Sequence, residues 1–433
     1  MIRRLARYRQ LIVSGSGVAL LAGGAIAAQF LSEVLLARAM AKDAYGVYSF
    51  IRQSMVLVVA FAFLGLDQAL VRHVAKQKLA DFDWKHTFAW LTAVSGAMTA
   101  ALVVFIVCYY RISGLELTVI AVGSVLLLVQ QFMSSLWRAD HRFFLGQLAF
   151  TGYRFVFLVA VAVAAVREFS GVAAGGLLVL TIAASALPVV LIGWRMTANG
   201  TRRMDLRALY GDGVLFWCFM ASLTLLNSLD TLLLKRLASD TAVGEYTALW
   251  TIASAPYLLL QSVIGFIAMP LFVRRTGAPS LPRMLLYVAL IAGGILIFSV
   301  GYYPLVGVLL RLVYHGKYVC EPTLCLLFLG AGICRVLYII PSVVLGGKAR
   351  RSVLLLFLAF ALIGVGVHVG LGIMLIPQTG IEGAATASLV NWLIRAGAGV
   401  TLSVLFCRYA AMSVPDTRGG PDAPAAGPPD PAP

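Results

Sequence analysis

The sequence predicts an all-α integral membrane protein, with about 12 transmembrane helices arranged as two six-helix bundles around a central cationic cavity. Three observations lead to this fold class: the apolar composition, a succession of long apolar segments, and an internal repeat. Of the 433 residues, 61% are hydrophobic and only 12% are charged, whereas soluble domains contain roughly 45–50% apolar and about 25% charged residues. Polar side chains are too few to cover a water-exposed surface, which excludes a soluble enzyme, a secreted disulfide scaffold and a DNA-binding domain.

The transmembrane helices follow from segment length, because a helix needs about 20 mostly apolar residues to span a bilayer. Such segments are predicted at 11–37, 47–71, 87–110, 114–137, 143–166, 170–194, 213–234, 246–273, 284–303, 323–346, 352–376 and 380–407. Four arginines precede the first segment, but its apolar run is longer than that of a signal peptide. We interpret it as an uncleaved first helix.

An even number of spans places both chain ends on one side of the membrane. Basic residues concentrate in the connections of that side and are sparse in the opposite ones, so the positive-inside rule predicts cytoplasmic termini. The predicted organisation is a basic cytoplasmic N-terminus at 1–10, an N-terminal bundle at 11–194, a cytoplasmic linker at 195–212, a C-terminal bundle at 213–407 and a disordered, Pro/Ala-rich cytoplasmic tail at 408–433.

We predict no nucleic-acid partner, no metal site and no cofactor. The net charge of +16 is dispersed between apolar runs, where basic residues set topology and do not form a nucleic-acid-binding face. The six cysteines include no Cys-x-x-Cys or Cys/His cluster, and no phosphate-binding P-loop occurs. Only Cys320 and Cys325 lie near a predicted external loop, and helical spacing would direct their thiols apart, which disfavours a disulfide.

An internal repeat supports the division into two bundles. Residues 31–48, LSEVLLARAMAKDAYGVY, recur as residues 229–246, LDTLLLKRLASDTAVGEY, at an offset of 198. Apolar composition explains the shared leucines but not the shared Arg and Gly-x-Tyr. Since each half holds six spans, both halves insert the same way up, related by a pseudo-two-fold axis along the membrane normal. Parallel repeats of this kind are a transporter architecture that works by alternating access.

Charged side chains within the spans indicate what the cavity binds. The intramembrane arginines are Arg52, Arg154, Arg335 and Arg395. Each would cost about 2.5–3.5 kcal/mol facing lipid at the bilayer centre, so these side chains must face protein or water. Gln147 and Asn391 lie at helical spacing from Arg154 and Arg395, as on polar faces that line a lumen. The guanidinium fork suits phosphate, so we predict an anionic cargo that contacts these residues.

A structural interpretation of the same arginines remains open. Each could pair with an acid or a helix carbonyl and hold helices together, and Arg52 could extend toward the membrane surface. The intramembrane acids are Glu33, Asp67 and Asp230. They are candidates for ion coupling, through Na⁺ or H⁺, or for charge partners of neighbouring arginines.

Several stretches of the chain resemble a known family. Residues 35–75, LLARAMAKDAYGVYSFIRQSMVLVVAFAFLGLDQALVRHVA, and residues 227–249, NSLDTLLLKRLASDTAVGEYTAL, resemble the Wzx-type oligosaccharide flippases of the multidrug/oligosaccharidyl-lipid/polysaccharide exporter superfamily. The turn at 314–318 and the Gly-Ile-Glu-Gly-Ala-Ala stretch at 380–385 are similar to the same family. The resemblance extends over nearly the whole chain up to about residue 407.

The resemblance implies a flippase in the bacterial inner membrane. It would move a polyprenyl-diphosphate-linked glycan from the cytoplasmic to the outer leaflet for capsule, exopolysaccharide or O-antigen assembly. Its partners would then be that lipid-linked glycan, the lipid bilayer, and the glycosyltransferases and polymerase of the same pathway. Lumen arginines would bind the diphosphate and sugar acids.

Two other functions remain open. One is an ion-coupled antiporter for drugs or metabolites from the same superfamily, although a cationic cargo would favour acids and aromatics over arginines in the lumen. The other is a membrane-embedded glycan polymerase or ligase, although those enzymes commonly need a sizeable external loop, which is missing between the predicted spans. We therefore expect a transporter and not an enzyme.

Overall fold

The computed structural model describes residues 2–66, 69–70, 84–164, 170–196, 206–274, 281–348 and 351–412, and within these ranges the chain is helical and contains no strands. In chain order the helices are α1 (Ile2–Ala39), α2 (Lys42–Ala62), α3 (Trp84–Tyr109), α4 (Gly114–Ala139), α5 (Phe143–Thr151), α6 (Tyr153–Ala164), α7 (Gly171–Met196), α8 (Leu206–Leu237), α9 (Asp240–Arg274), α10 (Leu281–Tyr314), α11 (Pro322–Leu337), α12 (Ile339–Lys348), α13 (Arg351–Thr379) and α14 (Ile381–Met412). The predicted tail lies outside the described residues from 413 onward.

The helices agree with a multi-pass membrane protein. Ten helical segments of the described chain are long and apolar enough to cross a bilayer. The other two predicted spans, 213–234 and 246–273, lie within α8 and α9, which are 32 and 35 residues long. Large apolar side chains such as Leu20, Val163 and Ile297 are more than 70% exposed, as expected for side chains that contact lipid tails.

Several helices extend beyond the predicted spans, as where α8 begins at Leu206 and α10 ends at Tyr314, and three predicted spans are interrupted. The span predicted at 47–71 ends at Ala62 in a turn, where Gly65 adopts a φ of 70°. The fifth and tenth spans are each broken into two helices, at Gly152 and at Tyr338. Hydropathy alone does not register such breaks, because the residues on both sides of them are equally apolar.

The repeat forms a close backbone contact between the two halves. A Cβ atom added at Gly46 of α2 would overlap the carbonyl oxygen of Asp240, and one added at Gly244 of α9 would overlap the carbonyl oxygen of Lys42. The offset of 198 converts each contact into the other, as a two-fold axis requires. The glycines of the repeated Gly-x-Tyr therefore allow α2 and α9 to cross backbone to backbone near their N-termini.

We call this end of the molecule, where α1 joins α2 and α8 joins α9, the turn end. Polar contacts close the turn end beside the contact of α2 and α9 at Gly46 and Gly244, which we call the glycine crossing. Lys42 forms an ion pair with Glu245 at 3.1 Å, and Lys317 donates hydrogen bonds to the carbonyls of Met40 and Ala37, the latter at 2.8 Å. Burial and the neighbouring Lys42 ammonium lower the pKa of Lys317. The Lys317 ammonium thus caps the C-terminus of α1, where carbonyl groups lack helical partners.

The structure corrects the expectation for the two cysteines of this end. Cys320 and Cys325 form a disulfide, with their Cα atoms 6.0 Å apart. The prediction assumed that both thiols lie on one helix. Cys320 instead precedes the start of α11 at Pro322, in a non-helical connection. The connection folds back over the first turn of α11, which brings the thiols together.

The glycine crossing gives the first testable prediction. We expect Gly244→Ala to lower the melting temperature of the purified protein by about 5 °C, because an added methyl group in a filled contact costs about 1–3 kcal/mol. Gly96→Ala in α3 is the matched control, since a Cβ there would have no neighbour within 4 Å. Equal melting temperatures for the two variants would show that the crossing tolerates a side chain.

Candidate functional site

A central cavity of about 420 Å³ lies between the two halves. Helices α1, α2 and α6 line it from the N-terminal half, and α8, α9, α11 and α14 line it from the C-terminal half. Four pairs of lining positions are related by the repeat offset: Gln29 and Asn227, Glu33 and Thr231, Arg52 and Trp250, and Gln53 and Thr251. The cavity therefore lies on the pseudo-two-fold axis, and equivalent positions of both halves face it.

The predicted site residues separate into two groups. Those that line the cavity are Glu33, Arg52, Arg154, Asp230 and Arg335. Gln147, Asn391 and Arg395 are not among the residues that line it. Asp67 lies outside the described residues.

Glu33 and Arg52 neutralise each other on the N-terminal wall. Arg52 Nε lies 3.1 Å from Glu33 Oε1. The same carboxylate accepts hydrogen bonds from Gln29 at 2.6 Å, from the Tyr45 hydroxyl at 3.0 Å and from the Tyr48 hydroxyl at 3.2 Å. A buried ion pair is stable when its remaining hydrogen-bonding capacity is filled in this way. The alternative that Arg52 reaches toward the membrane surface does not hold in this structure.

Arg154 projects into the cavity from α6, two residues beyond the break at Gly152. Its guanidinium lies 5.8 Å from the ring centroid of Tyr153, and its buried Nε atom has no hydrogen-bond partner. Among the described residues, no carboxylate forms an ion pair with it. Its Nε–H donor is thus unsatisfied, and no carboxylate among the described residues cancels the charge of the guanidinium.

Arg335 is the second cavity cation without a carboxylate partner in the described chain. Its Nε donates to Gln261 Oε1 at 2.7 Å, and its guanidinium lies 5.2 Å from the ring centroid of Trp392. A neutral amide and an aromatic face orient the side chain without cancelling its charge. Arg154 and Arg335 thus supply the positive charge of the cavity from opposite halves.

Asp230 is paired with an imidazole rather than with an arginine. His368 Nε2 lies 2.9 Å from Asp230 Oδ1, and Asn391 Nδ2 lies 3.2 Å from His368 Nδ1. His368 and Asn391 are completely buried, so the pair extends from the cavity into the packing of α8, α13 and α14. Asn391 orients the histidine and does not reach the cavity itself.

Arg395 lies in the packing between helices and is not among the residues that line the cavity. It is 1% exposed and donates from Nη2 to the carbonyls of Ser222 and Ala361, both at 3.1 Å. The side chain therefore ties α14 to α8 and α13. Gln147 lies on α5, where its backbone carbonyl accepts the Thr151 hydroxyl.

Sequence reasoning missed the residues of α9 that face the cavity. Thr247, Trp250, Thr251 and Ser254 line it along one side of this helix. They carry no charge, and a search for intramembrane charges does not find them. The repeat offset was the available signal, because it relates Arg52 and Gln53 to Trp250 and Thr251.

The fold is similar to that of a solved transporter structure. The chain is similar to a multidrug resistance MATE family transporter of the MOP superfamily in an inward-facing conformation, with a TM-score of 0.61, 11% identity, and coverage of 89% of this chain and 95% of that one. It also matches a point mutant of the MATE transporter VcmN from Vibrio cholerae, with a TM-score of 0.44, 12% identity, and coverage of 92% and 98%. No curated protein matches the chain.

The family model for polysaccharide biosynthesis proteins matches residues 12–275. This range contains the repeat, the glycine crossing and most of the residues that line the cavity. It covers more than half of the sequence, and the similarity of fold to a MATE transporter covers 89% of the chain. The chain therefore belongs to the polysaccharide biosynthesis protein family.

Proposed function

We propose that this protein is a flippase, which translocates a polyprenyl-diphosphate-linked oligosaccharide from the cytoplasmic to the outer leaflet of the bacterial inner membrane. The family supports a role in polysaccharide assembly, and the fold supports transport. The observation that carries the proposal is Arg154, a cavity guanidinium without a carboxylate partner among the described residues. Diphosphate is an anion that such a fork binds with two parallel hydrogen bonds.

The orientation belongs to the same proposal. Residues 11–194 and 213–407 form the two bundles, both termini are cytoplasmic, and the turn end faces the outer side. In this orientation the glycine crossing and the Lys42–Glu245 ion pair close the outer side. Alternating access then requires α2 and α9 to separate at the turn end when the cargo leaves.

Depletion in the native host tests the proposal as a whole. We expect lipid-linked oligosaccharides to accumulate, measured by mass spectrometry, while surface polysaccharide is lost, because assembly on the outer side is starved of its precursor. Re-expression of the wild-type chain is the control. Unchanged lipid-linked pools together with new sensitivity to small toxic compounds would contradict the flippase and favour the antiporter.

The role of Arg154 is tested by complementation of the depleted strain. We expect Arg154→Ala to reduce transport at least tenfold with normal amounts of folded protein, because hydrogen bonds to a charged group contribute about 1.5–3 kcal/mol. Arg154→Lys keeps the charge but loses the fork, so it should retain part of the activity. Arg311→Ala, at an exposed position of α10 outside the cavity, is the matched control. Full activity of Arg154→Ala would refute the assignment.

Arg395 should respond in the opposite way. We expect Arg395→Ala to destabilise the fold by about 3 kcal/mol, because it removes a charged donor that joins three helices. The folded fraction, measured by size-exclusion chromatography of the solubilised protein, should fall while transport per folded molecule is retained. A normal folded fraction with lost transport would instead place Arg395 in contact with the cargo.

A further inference from the structure

The two walls of the cavity differ in chemistry at equivalent positions. On the N-terminal wall, positions 33 and 52 carry an acid and an arginine; on the C-terminal wall, the equivalent positions 231 and 250 carry Thr and Trp. Gln53 is matched by Thr251. At these positions the N-terminal wall is thus ionic, and its Glu33–Arg52 pair is internally neutralised. The C-terminal wall is aromatic and rich in hydroxyl groups at the equivalent positions, and its charged residues Asp230 and Arg335 lie elsewhere on it.

Helix α9 presents this second set as one face. Thr247, Trp250, Thr251 and Ser254 are separated by three or four residues, or are neighbours, and therefore lie on the same side of the helix. Trp250 is held edge-on by Phe328, with 5.5 Å between the ring centroids. A ring fixed in this way offers a rigid platform to the cavity at small entropic cost.

Two hydroxyl groups on this face are left without partners. Thr247 Oγ1 and Ser254 Oγ are buried beneath the cavity wall, and neither forms a hydrogen bond with the described residues. Both side chains contribute to the lining, so a rotation about χ1 would bring each hydroxyl group to a ligand in the cavity. They flank Trp250, one turn to either side. A buried polar group without a partner destabilises the protein, so a ligand that supplies hydrogen bonds to these hydroxyl groups binds more tightly.

A pyranose ring has the complementary chemistry. Its C–H groups form an apolar face that packs on an aromatic ring, and its rim carries hydroxyl groups that both donate and accept hydrogen bonds. We propose that the α9 face is a sugar-binding subsite, in which a pyranose of the glycan stacks on Trp250 while Thr247 and Ser254 bond its hydroxyl groups. This inference rests on the proposed flippase function, in which Arg154 of the opposite half binds the diphosphate.

If Trp250 binds the sugar and Arg154 binds the diphosphate, substitutions of the two residues should affect the binding of different probes. The full-length protein in detergent is titrated calorimetrically with geranylgeranyl diphosphate, and with the oligosaccharide that mild acid releases from the host's lipid-linked pool. We expect Trp250→Ala to weaken oligosaccharide binding about tenfold and to leave diphosphate binding unchanged, whereas Arg154→Ala does the reverse. Trp90→Ala, at an exposed tryptophan of α3, is the matched control.

Two milder variants separate recognition from folding. Trp250→Phe keeps an aromatic face and should retain most of the oligosaccharide affinity, and Thr247→Val preserves shape but removes the hydroxyl group, which should cost severalfold. If Trp250→Ala and Thr247→Val bind the oligosaccharide as well as Trp90→Ala does, while Arg154→Ala loses diphosphate binding, the sugar subsite is refuted and the flippase stands. If the wild-type protein binds neither probe, both proposals fall.

Discussion

The backbone crossing of α2 and α9 is the constraint on which the rest of the cavity depends. Gly46 and Gly244 bring the two helices together so closely that no side chain fits between the chains. Because both contacts obey the same offset, the crossing also lies on the pseudo-two-fold axis. From this fixed point, about 1.7 turns of each helix place positions 52 and 250 at equivalent places on the cavity wall.

Whether a charged side chain of the cavity is available to a ligand depends on the groups that already neutralise it. The Glu33 carboxylate binds Arg52 and accepts three further hydrogen bonds, so this pair holds α1 against α2 and offers little to a ligand. Asp230 is matched with His368. The remaining charged residues of the cavity are Arg154 and Arg335. Neutral groups orient these two side chains, and no carboxylate among the described residues neutralises them. Inside a protein the effective dielectric constant is lower than in water, which strengthens the interaction of such cations with an anion.

Most of the fold was predictable, because a chain that crosses a bilayer needs long apolar helices and because the internal repeat indicates two similar halves. The breaks at Gly152 and Tyr338 were not, although they lie close to the two unneutralised arginines. The disulfide between Cys320 and Cys325 was also missed, because the thiols are joined by an irregular connection that helical spacing does not describe. Local hydropathy is insensitive to both features.

The sequence by itself determined that the protein is a helical membrane protein with two related halves, since composition, segment length and the Gly-x-Tyr repeat depend only on local order along the chain. It also located the charged residues that the membrane must bury. Only the tertiary structure showed which groups each of the described ones meets. Arg395 meets the carbonyls of Ser222 and Ala361, whereas Arg154 meets no carboxylate in the described chain. The physical reason is that a buried charge is defined by the groups that neutralise it, and those groups come from helices distant in sequence.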